Sequence, residues 1–287
     1  MTKQENNSMD KTFAKHWSDY ELLDAGGGKK LERWGEIITI RPERMAYFKS
    51  EWNFNKWEDL AHFEFTEGKA QTGTWKTLKP TKKEWTLAID DLICHLELTK
   101  FKHLGIFPEQ EANWRFISEK VQSGNSFLNL FGYTGIASVF AKSKDADVTH
   151  VDSVRQVISW TKKNMELSGL DGIRWICEDA LKFIEKNSKK NRKYNFIIMD
   201  PPAFGRGAKG EKWQLEKKLD DLIRHAQLSL EKNGVLILNT YSPKINHEQT
   251  DSILCQYFDE FETTQLCSKS TTGKILEHGL VSYCKKK

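Results

Sequence analysis

The amino-acid sequence predicts an α/β protein with a doubly wound, mostly parallel sheet, preceded by a small β-rich domain. From Ser126 onward, short apolar runs alternate with segments of helical spacing, as in a parallel sheet covered by helices on both faces. Before Leu98 the apolar runs are short and are separated by Gly and Pro, as is typical of β structure. The 287 residues, 38% hydrophobic and 29% charged, suit a globular protein of two modest domains.

The chain is expected to divide into three segments. Residues 1–18 are polar and are predicted to form a flexible N-terminus, residues 19–100 the β-rich domain, and residues 101–287 the α/β domain. The candidate strands of the β-rich domain are Glu36–Ile40, His62–Thr66, Thr74–Leu78 and Trp85–Ile89. Six of the ten tryptophans lie before Leu98. They either fill a thin core, the simpler interpretation, or stack on nucleic-acid bases.

The α/β domain contains five candidate parallel strands with helices between them. The strands are Phe127–Phe131, Val148–Asp152, Ile173–Cys177, Phe196–Asp200 and Val235–Thr240, and the helices are Ile136–Lys142, Val154–Ser168, Ala180–Lys186 and Leu215–Leu230. Two further runs, Phe261–Ser268 and Leu280–Cys284, are separated by too few residues for a helix. The second is therefore expected to run antiparallel to the first.

Composition excludes several classes of protein. The mean hydropathy is −0.62, and no run approaches the ~18 apolar residues that a membrane-spanning helix needs. The N-terminus has no apolar core typical of a secretory signal, so a cytoplasmic location is expected. The five cysteines form no CxxC pair and no cluster with zinc-ligand spacing, and no metal site is predicted. A net charge of +4 permits an acidic partner such as RNA without requiring one.

The turn Phe131-Gly132-Tyr133-Thr134-Gly135 follows the first strand of the α/β domain. Doubly wound sheets bind ligands at such a strand end. Its two glycines would let the backbone turn tightly and approach a ligand, and the helix that follows offers free N–H groups. A turn of this kind also occurs as an ordinary connection, so it indicates a site only together with other features.

Acidic residues end the next three strands. Asp152, 17 residues after Gly135, is placed to accept hydrogen bonds from the hydroxyls of an adenosine ribose. Asp179 is placed to accept one from an adenine amino group, and Asp200 ends the fourth strand. Each acid alone could be a helix N-cap. Together they indicate a nucleoside site, to which the adjoining Ser153 and Ala180 also belong.

Two cofactors suit this pattern, NAD and S-adenosylmethionine. A dinucleotide site needs G-x-G-x-x-G, whereas this turn has no third glycine and carries the bulky Tyr133. Asp200-Pro201-Pro202 favours S-adenosylmethionine, because the prolines fix the backbone so that its carbonyls can accept hydrogen bonds from an acceptor amino group. An NAD-dependent oxidoreductase and a cofactor-binding scaffold without turnover remain as alternatives.

The stretches NLFGYTG, VDS, MDPPAFGRG and LNTYS resemble the class I S-adenosylmethionine-dependent methyltransferases. Within them, the sequence is most similar to the ribosomal-RNA large-subunit methyltransferase group and its relatives lacking a PUA domain. The upstream FKHLGIFPEQEANW resembles the segment that precedes the methyltransferase core in that group. The resemblance implies a Rossmann-like fold, a seven-stranded sheet with a reversed last strand, and an RNA substrate of the ribosomal type. It also implies that Phe107, Glu109 and Gln110 fold back toward the cofactor cleft.

One departure from this group concerns the acceptor atom. Methylation of cytosine at carbon 5 needs a cysteine that adds to carbon 6, which the group places in an S-C-S-like segment after the fifth strand. Here that segment reads Asn239-Thr240-Tyr241-Ser242 and has no thiol. The acceptor is therefore expected to be a nitrogen, or another atom that is not carbon 5.

A second departure concerns the Asp-Pro-Pro element. Ala203 stands where N-methyltransferases carry an aromatic residue, and Phe204 follows it. We expect Asp200 and the Pro201 carbonyl to orient the acceptor nitrogen, with Tyr241 or Phe204 against its ring. The turn from Phe131 to Gly135 is expected to bind the methionine part of the cofactor.

Overall fold

The computed structural model describes residues 9–69, 72–206 and 212–287. Its N-terminal part contains β1 (Lys11–Ala14), β2 (Tyr20–Gly26), β3 (Lys29–Trp34), β4 (Ile37–Pro42), α1 (Phe54–Leu60), β5 (Phe63–Glu67), β6 (Gly73–Thr77), β7 (Glu84–Ile89) and β8 (Leu92–Glu97). Strands β2 to β6 form one sheet in chain order, and β7 and β8 form an antiparallel pair. The predicted β-rich N-terminal region is confirmed, although β2, β3 and β8 were not among the predicted strands.

The remaining elements build the α/β part. They are a 3₁₀ turn (Pro108–Gln110), α2 (Glu111–Lys120), β9 (Ser126–Leu130), α3 (Ile136–Ser143), β10 (Asp147–Asp152), α4 (Arg155–Leu167), β11 (Arg174–Cys177), α5 (Ala180–Lys189), β12 (Tyr194–Met199), β13 (Phe204–Arg206), β14 (Lys212–Gln214), α6 (Leu219–Leu228), β15 (Leu230–Thr240), α7 (His247–Leu254), β16 (Glu260–Lys269) and β17 (Ile275–Lys285). All five predicted parallel strands are present. The predicted helix 215–230 is shorter, because a separate 3₁₀ turn covers Leu215–Lys217 and β15 begins at Leu230.

The large sheet has the strand order β1-β16-β17-β15-β12-β9-β10-β11. Strands β11, β10, β9, β12 and β15 run parallel to one another, whereas β17 runs antiparallel to both β15 and β16. The predicted α/β fold with a mostly parallel sheet is therefore confirmed. Because β9 and β12 are neighbours although they are distant in sequence, the crossover between them leaves a cleft at their carboxyl ends.

The N-terminal segment differs from its prediction. Lys11–Ala14 forms β1, which pairs with Gln265–Ser268 of β16, and the Thr12 hydroxyl lies 2.7 Å from that of Thr264. The described part of the sheet consequently has eight strands instead of seven. A polar strand at a sheet edge has no strong apolar pattern, which is why the sequence suggested a flexible tail. Residues 1–8 of that tail lie outside the described residues, and the division at residue 100 stays a prediction.

Three tryptophans of the β-rich region are buried in the core. Trp34 and Trp57 are completely buried, and Trp85 is 5% exposed. The first and last of these belong to one apolar cluster that continues through Trp114 of α2 and Phe140 of α3. The cluster joins the β-rich region to the large sheet, so the core-filling interpretation holds for these side chains and they are not free to stack on bases.

Within the described residues, no helix is long and apolar enough to cross a bilayer. All five cysteines are free thiols. Cys94, Cys267 and Cys284 are buried, and burial raises the pKa of Cys94 to about 12, so that this thiol stays protonated at neutral pH.

A buried ion cluster holds β3 and β4 together. The Arg41 guanidinium contacts both carboxylate oxygens of Glu32 at 2.7 and 2.8 Å. Lys30 lies 3.4 Å from Glu32 and 3.3 Å from Glu43, and the Tyr20 hydroxyl donates to Glu32 at 3.0 Å. Since Glu32 is fully buried, removal of its carboxylate would leave two buried cations without their main counter-charge.

We therefore expect Glu32→Leu to lower the free energy of unfolding by about 3–5 kcal/mol. The exposed pair of Glu185 and Lys189 provides the control, and Glu185→Ala should leave stability nearly unchanged, because solvent screens that pair. Urea denaturation followed by circular dichroism measures both values. Equal losses in the two variants would show that the buried cluster contributes no more than a surface pair.

Candidate functional site

A cleft lies at the carboxyl ends of β9 and β12. Its floor is formed by β9 and β12, one wall by the turn after β9, and the opposite wall by the segment that leads into α2. Eight of the residues that the sequence assigned to a site line it, namely Phe107, Gln110, Phe131, Gly132, Tyr133, Thr134, Gly135 and Asp200. Trp114, Asn129, Ile106, Ile136, Ala137 and Ile198 complete the lining.

The turn after β9 has an unusual backbone. Phe131, Tyr133 and Gly135 have φ angles of 57°, 49° and 76°, in the left-handed region that only glycine adopts without strain. The N–H of Gly132 donates to the carbonyl of Val151 at 3.0 Å, and the N–H of Gly135 to that of Gly132 at 2.9 Å. Two non-glycine residues held in this conformation indicate a loop whose shape is maintained by its surroundings.

The two glycines pack closely against side chains of neighbouring elements. A Cβ on Gly132 would overlap the ring of His150 on β10, and a Cβ on Gly135 would overlap Thr161 on α4. The glycines therefore admit protein side chains behind the loop. Both glycines also line the cleft, so their close approach to a ligand stays a prediction, while the tight turn itself is present.

The side chain and the carbonyl of Thr134 form hydrogen bonds within the protein. Its hydroxyl donates to the carbonyl of Gly105, its own carbonyl accepts from the side chain of Asn164 at 2.9 Å, and it is 1% exposed. Thr134 thus fixes the loop between two neighbouring segments. Its contact with a cofactor stays a prediction, and such a contact would involve its backbone.

Asp152 lies at the end of β10 with its carboxylate against the loop. One oxygen accepts from the N–H of Tyr133 at 3.0 Å and the other from the N–H of Val154 at 2.8 Å. Burial raises the pKa of this carboxyl, and the backbone hydrogen bonds oppose the rise. An ionised carboxylate has about four acceptor positions. Acceptor capacity therefore remains on this carboxylate for the ribose contact that the sequence predicts, beside the exposed Ser153.

Asp179 is a helix N-cap, the alternative role that the sequence analysis kept for it. It is the N-cap of α5, where one carboxylate oxygen accepts from the N–H of Lys182 at 2.9 Å. Ala180, which follows it, is 4% exposed and packs in the core. Contact of Asp179 with an adenine stays a prediction. The adenine amino group would donate to an acceptor position of the carboxylate that Lys182 does not use.

Gln110 and Asp200 line the cleft, and Gln110 also contacts Tyr241, which is outside the lining. The Gln110 amide nitrogen donates to the Tyr241 hydroxyl oxygen at 2.7 Å and to Asp200 at 3.4 Å. Burial and the nearby Glu109 raise the pKa of Asp200 to about 7. Burial, then Asp200 and Glu109, raise the pKa of Tyr241 well above 10, so that its hydroxyl stays protonated. The site thus holds a carboxyl that can change its protonation near neutral pH.

Aromatic rings form the outer wall. The Phe107 ring lies 5.3 Å from that of Tyr133 and 4.9 Å from that of His103, measured between centroids. This places the segment 107–110 against the turn after β9, as the resemblance implied. From spacing alone that segment was expected to be a loop, and it is a 3₁₀ turn followed by α2.

The Asp-Pro-Pro element continues into a hairpin of β13 and β14. Pro201 is buried, and its carbonyl has no donor among the described residues, whereas the Pro202 carbonyl accepts from the indole of Trp213 at 2.6 Å. Phe204 lies in β13 and is 62% exposed, outside the central group of side chains. Its predicted stacking on an acceptor ring stays a prediction. Gly207, the last residue of MDPPAFGRG, lies outside the described residues.

Three polar side chains behind Gln110 were not found from the sequence. Asn113, Asn239 and Tyr283 form hydrogen bonds that lead from Gln110 into the core. The signal for Asn113 was its position one helical turn after Gln110, which places both on the same helix face. Tyr283 comes from the antiparallel β17, so no local pattern connects it to the cleft.

Substitution of Gly135 tests the packing behind the loop. Gly135→Ala is expected to cost about 3 kcal/mol of unfolding free energy, because a left-handed alanine is strained and its Cβ overlaps Thr161. Gly124 is the matched control, with φ 77° and no heavy atom within 4 Å of the position that a Cβ would take, so Gly124→Ala should cost only about 1 kcal/mol, from backbone strain alone. Thermal unfolding measures both. A similar loss in the two variants would contradict the proposed packing.

The pKa of Asp200 predicts a pH-dependent effect on stability. A carboxyl whose folded pKa is about 7, above its usual 3.8, favours the folded state fully below pH 3.8 and loses this contribution as pH rises through 7. Asp200→Asn should therefore match the wild type in stability at pH 4 and exceed it by up to about 4 kcal/mol at pH 8. Urea unfolding across this range is the measurement, and a constant difference would contradict the raised pKa.

Comparison with known proteins supports the sequence resemblance. Residues 110–259 match the family described as conserved hypothetical protein 95, which is a little over half of the chain. A ribosomal RNA large subunit methyltransferase K/L of Shewanella frigidimarina is 33% identical over 153 residues, covering 52% of this chain and 21% of the relative. The enzyme of the same name from Syntrophotalea carbinolica is 35% identical over 149 residues, which cover 50% of this chain and 20% of the relative. The chain thus spans about a fifth of the length of these two relatives.

A solved structure covers nearly the whole chain. The S-adenosylmethionine-dependent methyltransferase from Agrobacterium tumefaciens is 32% identical, has a TM-score of 0.88, and matches 97% of this chain and 93% of its own. The match includes the β-rich region as well as the cleft. Together with the match over residues 110–259, it shows that the chain belongs to the conserved hypothetical protein 95 family of S-adenosylmethionine-dependent methyltransferases.

Proposed function

We propose that this chain transfers a methyl group from S-adenosylmethionine to RNA of the ribosomal type, at a nitrogen or another acceptor that is not carbon 5. The observation that carries the proposal is the meeting of Asp200, Gln110 and Tyr241 beside the turn after β9. Asp200, whose pKa burial and Glu109 raise to about 7, lines the same cleft as the turn 131–135, and a carboxyl of this kind is suited to accept a proton in a transfer reaction.

The residues of the cleft suit an adenosyl sulfonium compound. Asp152 keeps acceptor positions for ribose hydroxyls, and Asp179 offers a further carboxylate to the adenine amino group. The turn 131–135 would hold the methionine part, with Phe107 and Tyr133 as its aromatic cover. Glu109 and Gln110 would close the cleft from the other side. When bound, the cofactor supplies an electrophilic methyl group.

The acceptor is proposed to lie against Asp200. The Asp200 carboxylate and the Pro201 carbonyl accept hydrogen bonds from the acceptor amino group. They thereby direct the nitrogen lone pair at the methyl carbon. The nitrogen–carbon bond forms as the sulfur–carbon bond breaks, and the proton lost from nitrogen passes to Asp200 or to water. Holding the two reacting atoms about 3 Å apart accounts for several kcal/mol of the barrier. The ring of Tyr241, with its hydroxyl held by Gln110, would pack on the acceptor.

The positions of the cysteines support an acceptor other than carbon 5. All five lie within the described residues, and the cleft lining includes none of them. Cys177 ends β11 and Cys255 follows α7, both exposed, while the other three are buried. No thiol is therefore placed to add to a pyrimidine ring beside Asp200.

The names of the relatives and the charge of the chain favour RNA as the substrate. Both bacterial relatives act, by name, on large-subunit ribosomal RNA. A net charge of +4 and a pI near 8.6 are compatible with a polyanion. A cytoplasmic location is proposed with this substrate.

Transfer of a tritiated methyl group from S-adenosylmethionine to deproteinised bacterial large-subunit ribosomal RNA tests the proposal. We expect label that ribonuclease releases, and we expect Asp200→Ala to lower the rate by about 10²–10⁴-fold, because it removes the group that orients and deprotonates the acceptor. Asp171→Ala, at an exposed position on a loop away from the cleft, should retain the wild-type rate.

Two outcomes would contradict parts of the proposal. Label that resists ribonuclease and is lost with protease, after incubation with cell extract, would identify a protein substrate. Isothermal titration that detects NAD but not S-adenosylhomocysteine would exclude the methyl donor and favour an oxidoreductase.

A further inference from the structure

Buried amide side chains lie behind the contact of Gln110 with Asp200 and Tyr241. Asn113 of α2 is completely buried, and its amide nitrogen donates to Gln110 at 2.7 Å and to Asn239 of β15 at 2.9 Å. Its oxygen accepts from the hydroxyl of Tyr283 on β17 at 2.8 Å. One side chain thus connects three elements of the fold to the residue that contacts Asp200.

The hydrogen bonds of Asn113 determine which end of the Gln110 amide faces the cleft. Because the Gln110 oxygen accepts from Asn113, the Gln110 nitrogen must point toward Tyr241 and Asp200. If the Asn113 amide turned over, its oxygen would face the acceptor oxygens of Gln110 and Asn239. The Tyr283 hydroxyl, which donates to the Asn113 oxygen in this arrangement, holds the Asn113 side chain in place.

We propose that Asn113 is a positioning residue, which orients the Gln110 amide so that it donates to Asp200 and Tyr241, and that Tyr283 in turn orients Asn113. Asn113 touches neither the acceptor nor the cofactor cleft in this arrangement. Its effect on the reaction rests on the proposed function, whereas its effect on Asp200 does not.

The arrangement has a consequence for Asp200. A donor to the carboxylate favours its ionised form. Burial and Glu109 raise the pKa of Asp200, and the long contact from the Gln110 amide at 3.4 Å is the side-chain donor placed to act against them. Within the described residues, the titratable groups that face Asp200 are Glu109 and Tyr241, and the latter stays neutral. Loss of the correct Gln110 orientation should raise the pKa of Asp200 further.

The test is a titration of aspartate side chains labelled with ¹³C at Cγ, followed by NMR, with Asp200→Asn to assign the signal. Asn113→Leu should raise the pKa of Asp200 by about half a unit or more, which is what loss of a long charge-assisted hydrogen bond produces. Tyr283→Phe keeps the ring stacked on Phe116 and removes only the hydroxyl, and it should shift the same pKa in the same direction by less.

Asn187→Leu is the matched control, since Asn187 is a buried amide on α5, 8% exposed, that donates to the carbonyl of Phe183. It should lower the unfolding temperature and leave the titration of Asp200 unchanged. With the ribosomal RNA as substrate, Asn113→Leu should lower kcat at pH 7 more than it raises KM, and should shift the acidic limb of the pH profile upward.

An unchanged Asp200 titration in both Asn113→Leu and Tyr283→Phe would overturn the inference and leave Asn113 a structural residue like Asn187. If Asn113→Leu does not fold, Tyr283→Phe alone decides. Absence of methyl transfer by the wild type would count against the proposed function, while the titration would still test the positioning role.

Discussion

The contact of Gln110 with Asp200 and Tyr241 is the interaction on which the site depends. Gln110 comes from the segment before the large sheet, Asp200 from the end of β12, and Tyr241 from the end of β15. The contact therefore exists only if the segment 101–120 folds back over the strand ends. The apolar packing of Trp114 against Phe140 holds that segment in place, with ring centroids 5.7 Å apart.

The parallel sheet explains why residues far apart in sequence meet. The strands β9, β10 and β12 end at one edge, so Asp200 lines the cleft together with the turn that follows β9. The left-handed turn after β9 then brings the N–H of Tyr133 to Asp152. His150 and Thr161 pack against the glycines of this turn and leave no room for a larger residue at either position.

Much of this arrangement follows from local pattern. Alternating apolar runs predicted the parallel strands, and acidic residues at their ends predicted a ligand site at that edge of the sheet, which stays a prediction. The strand β1 was missed because a short polar edge strand carries no apolar signal. The packing of His150 and Thr161 against Gly132 and Gly135 was not foreseen because these neighbours come from β10 and α4. Asn113 has the local spacing of one helical turn from Gln110 and was overlooked, whereas the contact of Tyr283 with it joins residues 170 positions apart, which no local spacing records.

A crystal structure with S-adenosylhomocysteine tests the central claim most directly, that the carboxylates along the sheet edge hold the adenosyl compound. The account predicts ribose hydroxyls within hydrogen-bond distance of Asp152 and a thioether sulfur that faces the opening beside Asp200. A ligand bound elsewhere, or one in the cleft with its ribose turned away from Asp152, would contradict it.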